Sequence, residues 1–104
     1  MWYSASLLFK GVHQTGEQGE PLWEESVRLI EAASDVEARA KAERIGSARR
    51  VSYRVEKGTL SWVFDRVERV FAIEGDSPVD GTEVFSRFLR DSEVKSLLTP
   101  FDDE

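Results

Sequence analysis

The sequence offers little nucleophilic or proton-transfer chemistry. It contains no cysteine and a single histidine, His13. A Ser-His-Asp arrangement needs its histidine to be held on a rigid frame by a third group. His13 lies instead in residues 11–21, a stretch rich in Gly, Gln and Glu that predicts a flexible hairpin loop. We therefore expect no catalytic residues, and a protein that is not an enzyme.

Carboxylates are the remaining groups that could support a reaction. Paired-carboxylate chemistry needs two of them to face each other across a cleft, which a sequence does not show. One enzymatic or small-molecule-binding hypothesis places Asp65, Glu83 and Arg87 around a pocket. The acidic residues do not have the spacing of a calcium loop, and no Gly-rich phosphate loop is present. The sequence therefore predicts neither a metal site nor a cofactor.

Residues 51–64 predict a β-hairpin together with its register. A tight turn at Lys57-Gly58 would bring apolar residues opposite one another on one face. The resulting pairs would be Val55 with Leu60, Tyr53 with Trp62, and Val51 with Phe64. The interleaved positions are mostly polar, and a slip of one residue would exchange the two faces. The pattern thus favours a sheet with one buried face and one wet face.

This hairpin bears on a cluster of basic residues between positions 49 and 57. Arginines beside Tyr53 and Trp62 resemble a surface that stacks single-stranded nucleic acid. However, the predicted register puts both aromatic residues on the apolar face, opposite Arg50 and Arg54. The net charge of −6 also opposes general phosphate binding. We therefore interpret Trp62 as a core residue and do not expect nucleic acid as a partner.

Length and composition predict one domain over residues 1–104, with a frayed acidic tail at residues 99–104. No apolar run approaches the roughly 20 residues that span a bilayer. The N-terminus lacks the basic start and the long apolar run of a signal peptide. We expect a soluble protein of the cytoplasm with no membrane partner.

The hydrophobic pattern predicts an α+β fold in the order β-β-α-β-β-β, in which one main helix packs on one face of an antiparallel sheet. Alternation predicts strands over residues 2–11 and 23–33. The second strand runs through Val27 and Leu29, and Ile30 falls on its opposite face.

The main helix has clear local signals at both ends. Ser34 and Glu37 have the spacing of a capping box, and Gly46 is a natural C-terminal stop. Small residues would let the helix approach the sheet closely. The apolar stripe consists of Ala38, Ala42 and Ile45, with Val36 and Ala40 alongside.

Beyond the hairpin the apolar positions change parity. They are even-numbered up to Phe64 and odd-numbered from Val67 to Ile73, which predicts a bulge or bend near Asp65-Arg66. Val70 lies outside the odd pattern. This segment is therefore expected to be partly covered on both sides.

The segment 82–89, which follows a Gly-rich turn at residues 75–81, fits two structures. Its apolar residues suit one face of a helix or a strand that is covered on both sides. Enrichment in Val, Phe and Thr favours the strand, but the sequence does not determine its pairing register. Residues 92–98 can form a short C-terminal helix before Pro100.

The second face of the predicted sheet lacks an obvious cover. Trp2, Leu8 and Val63 point away from the face that the helix occupies. Because monomers rarely expose a large contiguous apolar patch, either the terminal helix or another chain should lie there. These three residues are our candidates for a protein interface, with a homodimer as one form of it.

Several segments together resemble a known family. They are Trp2-Tyr3-Ser4-Ala5, the helix start at residues 30–38, Trp62-Val-Phe64, and Asp80-Gly-Thr-Glu-Val-Phe-Ser-Arg87. They are similar to the bacterial family catalogued as domain of unknown function 4288, and the last segment is the most specific. The resemblance covers nearly the whole chain and implies a small bacterial protein without an assigned activity. It carries over no catalytic residues.

These observations favour a non-catalytic protein-interaction or assembly module whose protein partner is another chain or a second copy. Glu83, Ser86 and Arg87 are the candidate polar binding residues. The alternative is an acidic immunity-type protein that neutralises a basic toxin, aided by electrostatic steering. The small-molecule or enzymatic hypothesis around Asp65 is the third.

Overall fold

A four-stranded antiparallel sheet, one long helix and one short helix make up the fold. The computed structural model describes residues 1–13, 21–49, 51–55 and 58–99; for residues 13, 51–55 and 58 it describes the backbone alone. The order along the chain is β1 (Trp2–His13), β2 (Trp23–Glu31), α1 (Asp35–Ala48), β3 (Val51–Val55), β4 (Gly58–Ile73) and α2 (Asp91–Leu98). The α+β class and the antiparallel sheet are confirmed, whereas the predicted fifth strand is wrong. The predicted acidic tail lies, from residue 100 onward, outside the described residues.

Strand β1 lies inside the sheet, whose order is β2-β1-β4-β3. The backbone of His13 belongs to this strand and pairs with Leu60, so the prediction that His13 lies in the loop is wrong. Pairing of Tyr3 with Ile30 sets the phase of β2. Ile30 is therefore in the core, while Val27 and Leu29 face away from α1.

Helix α1 begins as its capping signals predict. The Ser34 hydroxyl accepts a hydrogen bond from the Glu37 amide at 3.2 Å, and the Glu37 carboxylate accepts one from the Ala33 amide at 2.6 Å. The helix packs on the sheet through Ala38, Ala42 and Gly46, which are buried.

The predicted end of α1 is wrong, because the helix continues through Gly46 to Ala48 and Arg49 is its C-cap. A Cβ on Gly46 would lie 2.4 Å from Cε1 of Phe64. The glycine thus serves close packing of α1 on β4 and not termination. Ile45 and Val36, predicted on the apolar stripe, are exposed.

The β3–β4 hairpin forms in a register two residues away from the predicted one. Val55 pairs with Gly58, Tyr53 with Leu60 and Val51 with Trp62. A shift of two keeps odd residues of β3 opposite even residues of β4, which is the parity that the sequence predicts. The side chains of Tyr53, Arg50 and Arg54 lie outside the described residues.

Strand β4 contains two bulges against β1. Leu8 pairs with Arg66 while Phe9 pairs with Phe64, which leaves Asp65 as the extra residue. Ser6 pairs with Arg69 while Leu7 pairs with Val67, which leaves Glu68 as a second extra residue. The predicted bulge near Asp65-Arg66 is confirmed, and the bulge at Glu68 was not predicted.

The predicted strand at residues 82–89 is wrong, since the segment joins no ladder and is an extended connection. The predicted terminal helix forms and begins one residue earlier than expected, at Asp91. It packs against neither α1 nor any strand in the described part of the chain. Neither helix in that part is long and apolar enough to cross a membrane.

The core lies between α1 and the sheet. Its largest fully buried members are Phe9 and Leu7 of β1, and Trp62 and Phe64 pack against it. The interpretation of Trp62 as a core-facing residue is therefore confirmed. Arg49 closes one end of this layer, with its guanidinium 4.5 Å from the Phe9 ring and 2.9 Å from a Glu24 carboxylate oxygen.

Candidate functional site

The face of the sheet opposite α1, called here the second face, carries the surface features that the core does not explain. Residues that pair across an antiparallel sheet point to the same side. In β2 they are Glu31, Leu29, Val27, Glu25 and Trp23; in β1 they are Trp2, Ser4, Ser6, Leu8 and Lys10; in β4 they are Ile73, Phe71, Arg69, Arg66 and Val63. Charged, polar and large apolar residues are thus mixed on one surface.

Residues 82–90, called here the arm, lie over the end of this face that carries Ser4, Phe71 and Arg69. The Ser4 hydroxyl donates a hydrogen bond to the Val84 carbonyl. The Phe85 ring meets the Phe71 ring edge-on at 6.0 Å, and the Arg69 guanidinium lies 5.2 Å from the Phe85 ring. This cover accounts for the burial of Ser4 on this side of the sheet.

A tight turn directs the arm onto the sheet. The Thr82 amide donates to the Val79 carbonyl at 3.0 Å, and the Thr82 hydroxyl accepts from the Val79 amide at 2.7 Å. Gly81, the third residue of this turn, has φ of 87°. Positive φ is demanded at that position of a type II turn and favours glycine. The Asp80 to Arg87 segment therefore encodes the turn and the arm together.

The arm leaves β2 and the end of the sheet around Leu8 and Val63 open. Three β2 side chains there are large, apolar and about half exposed: Trp23 at 44%, Val27 at 50% and Leu29 at 54%. Val63 of β4 is 50% exposed, and Leu8 of β1 lies between these strands with partial exposure. These five residues form what we call the open strip.

Charged groups lie within and beside the open strip. The Lys10 ammonium lies 5.7 Å from the Trp23 ring, within range of a cation–π contact. Arg66 is exposed and pairs with Asp65. The Glu25 carboxylate accepts a 2.5 Å hydrogen bond from the buried hydroxyl of Ser6. Lys10 thus lies between Trp23 and Val63, and Glu25 lies between Trp23 and Val27, so charged residues stand among the apolar ones.

The three predicted polar binding residues all lie on the arm but do not converge. Glu83 lines a depression of about 280 Å³ together with Phe71, Ala72, Glu74 and Thr82. Ser86 contributes its backbone carbonyl, which lies 3.5 Å from Arg69 Nη1. Arg87 is exposed and forms no ion pair within the part of the chain that the structure describes. Their role in binding stays a prediction.

The small-molecule hypothesis, which places Asp65, Glu83 and Arg87 around one pocket, stays a prediction. The depression that Glu83 lines contains neither Asp65 nor Arg87. Asp65 is the bulge residue of β4 and pairs with Arg66. Among the described residues, no three histidine, cysteine, aspartate or glutamate side chains lie close enough to hold a metal ion.

The predicted interface residues do share the second face. Val63 and Leu8 belong to the open strip, whereas Trp2 pairs with Ile73 at the end of the sheet where the arm begins. Sequence reasoning missed the three β2 members of the strip, because it took the face of Val27 and Leu29 as the core face of that strand. The signal that could have identified them is Ile30, which lies on the opposite face of β2 and pairs with the buried Tyr3.

No curated protein and no solved structure matches the chain significantly. The family model described as a domain of unknown function (DUF4288) matches residues 2–86. The match includes the whole sheet, α1 and the arm as far as Ser86, and it leaves α2 outside. The suspected resemblance is therefore confirmed: the chain belongs to the DUF4288 family.

Proposed function

We propose that this protein is a non-catalytic protein-interaction module whose binding surface is the open strip. The observation that carries the proposal is the exposure of Trp23, Val27 and Leu29 on one side of an edge strand. Single exposed apolar residues are ordinary, but several large ones gathered on one side of a sheet and mixed with charged residues are typical of protein interfaces.

Position within the sheet supports this reading. The side chains of Val27 and Leu29 project from a strand that α1 covers on its other face through Ile30, so they stand on a rigid layer. Binding surfaces on a rigid layer lose little conformational entropy when a partner docks. Trp23 adds a large amphipathic ring at one end, a residue type enriched in interface hot spots.

Photo-crosslinking in cells that produce the full chain tests the proposal. A benzophenone amino acid is placed at Leu29, and the control variant carries it at Val36. Both positions are apolar and exposed, but Val36 lies on α1, on the other side of the sheet. We expect discrete protein adducts from position 29 that are absent from position 36.

The mass of each adduct identifies what is bound. An adduct with a second copy or with another protein supports the module, and an adduct with a basic protein would favour the acidic neutraliser among such modules. Identical adduct patterns from positions 29 and 36, or none from either, would overturn the proposal.

A further inference from the structure

We propose that the occupant of the open strip is α2 of a second copy of this chain, so that two copies exchange their C-terminal helices. The inference rests on the proposed function, because it names the partner of the same surface. It starts from a second unpartnered apolar surface in the same chain.

That surface is one side of α2. Val94, Leu97 and Leu98 have the i, i+3, i+4 spacing that places them on one helix face, and all three are exposed. Phe88, just before the helix, is fully exposed. An eight-residue helix is marginal in water, and its stability normally comes from packing an apolar face. Since α2 packs on no other described element of its own chain, its stripe is available to a partner.

The dimensions of the two surfaces match. The arm lies over Ser4, Phe71 and Arg69, so the uncovered part of the second face runs along β2 and continues onto Leu8 of β1 and Val63 of β4. Neighbouring strands lie about 5 Å apart, so the two strands that carry Val27 and Leu8 present a surface about 10 Å wide. A single α-helix with its side chains is about 10–12 Å across. One helix therefore fills the space beside the arm.

Charge supports the same pairing. Asp91 and Glu93 stand on the two sides of the α2 stripe, three residues and one residue before Val94. On the strip, Lys10 lies beside Trp23, and Arg66, which pairs with Asp65, lies beside Leu8. Residues 88–104 hold five acidic and two basic side chains, and three of the five acidic ones are residues 102–104. Within the helix Asp91 pairs with Lys95, and Glu93 lies 3.8 Å from Arg90. The excess negative charge of this segment therefore comes from residues 102–104, and its attraction to Lys10 on the strip favours association and orientation.

Both surfaces lie on one chain, so a two-fold axis satisfies them simultaneously. Each copy gives its helix and receives the other's, and the contact closes without leaving a free strip to recruit a third copy. The isologous arrangement buries the apolar face of α2 and the open strip in both copies. Two such contacts bury twice the surface that one short helix would bury, which brings the total toward the roughly 1,600 Å² found in stable complexes.

Sedimentation equilibrium on the full chain tests the exchange. We expect a dimer that dissociates on dilution. Leu97→Glu should weaken it at least ~100-fold, because the exchange would bury a carboxylate against an apolar strip. The matched control is Ser96→Glu, which adds the same charge to the same helix away from the stripe and should leave the dimer intact. Val27→Lys should weaken the dimer from the other side.

Mixing the two weakened variants separates a lost interface from a lost fold. In a heterodimer of Leu97→Glu and Val27→Lys chains, one strip meets an unaltered helix, and at the other the introduced ammonium group meets the introduced carboxylate. We expect the mixture to form dimer at concentrations where each variant alone is monomeric. Failure of the mixture to associate would overturn the exchange.

Two further outcomes distinguish this inference from the proposed function. A wild-type chain that stays monomeric at several hundred micromolar while position 29 crosslinks to another protein would overturn the exchange and leave the module standing. A monomer whose α2 amides are protected from hydrogen exchange, and exposed by Leu97→Glu, would show that the helix closes on its own strip and would overturn the second copy as occupant.

Discussion

Replacement of Gly46 by alanine tests the closest approach of helix to sheet. The added Cβ would lie 2.4 Å from Cε1, 2.5 Å from Cδ1 and 2.9 Å from Cζ of Phe64. Ordinary carbon contacts are about 3.5–4 Å, so the ring or the helix must move by about 1 Å. The ring has little room, because it packs on Phe9 with centroids 5.6 Å apart.

The magnitude is a difference between two opposing effects. Overpacking in a core costs typically about 1–3 kcal/mol, and an overlap with a ring belongs in the upper part of that range. Alanine is favoured over glycine in a helix by up to about 1 kcal/mol. We therefore expect Gly46→Ala to lower the free energy of unfolding by about 1–2 kcal/mol. For a domain of this size the melting temperature should fall by about 5–15 °C.

Urea unfolding followed by tryptophan fluorescence measures the change. Ser47→Ala is the matched control, since it raises helix propensity at the next, exposed position and should be neutral or slightly stabilising. Combining Gly46→Ala with Phe64→Leu should recover at least about 1 kcal/mol relative to additivity, because the smaller side chain removes the overlap. A Gly46→Ala protein as stable as the wild type, or strictly additive double-variant values, would refute this reasoning.

Three further substitutions probe other contacts. Phe85→Ala should lower the free energy of unfolding in urea by about 1–2 kcal/mol and speed hydrogen exchange in the arm, because it removes the ring that packs against Phe71. The control Phe88→Ala removes a fully exposed ring and should leave this free energy almost unchanged. Equal losses from the two substitutions would contradict the contact between the arm and the sheet. Ser34→Ala should cost about 1 kcal/mol by loss of the N-cap, and a thermal melt identical to wild type would contradict the cap. Arg49→Met should lower the free energy of unfolding by about 1 kcal/mol, and this loss should shrink at high salt because salt screens the ion pair with Glu24. The comparison is Arg44→Met, since Arg44 forms no ion pair among the described residues.

The start of α1 was predictable because its signals are local. Ser34 and Glu37 act within one turn, and the bonds they form need no distant residue. The end was not predictable for the same reason. Glycine can end a helix or allow another element to pack closely against it, and only the position of Phe64 on β4 shows that Gly46 does the latter.

The hairpin register shows what a period-two pattern leaves undetermined. Apolar residues oppose apolar residues both in the predicted register and in the one that forms, which pairs Val51 with Trp62 and Tyr53 with Leu60. A shift of one residue exchanges the faces, but a shift of two preserves them. The sequence therefore determined the parity, and the choice between registers two apart depended on the turn.

The candidate site was half predictable. Alternation from the first strand and the hairpin correctly placed Leu8 and Val63 on the second face. Which face of β2 points to the core could not be predicted without knowing how β2 pairs with β1, since Val27 and Leu29 are as apolar as a core-facing pair. Only the pairing of Ile30 with Tyr3 turns them outward. The unpartnered face of α2 was likewise invisible, because an amphipathic helix is the same sequence pattern whether it is docked or free.

The bulge at Glu68 explains why the arm exists as a cover and not as a strand. With the Asp65 bulge alone, Phe71 and Ile73 would have continued the face that meets α1, as their odd numbering suggested. The second bulge restores the original parity, so Val70 packs toward α1 while Phe71 and Ile73 turn to the second face. That face then needs apolar cover, and Phe85 supplies it across Phe71. A segment that lies over the face of a sheet can show the same two-sided apolar pattern as a strand at the edge of that sheet. Here the Val84 carbonyl accepts its hydrogen bond from the Ser4 side chain and not from the backbone of a neighbouring strand. The arm stops short of β2, so the surface left for a partner follows from where the bulges place the apolar residues of β4.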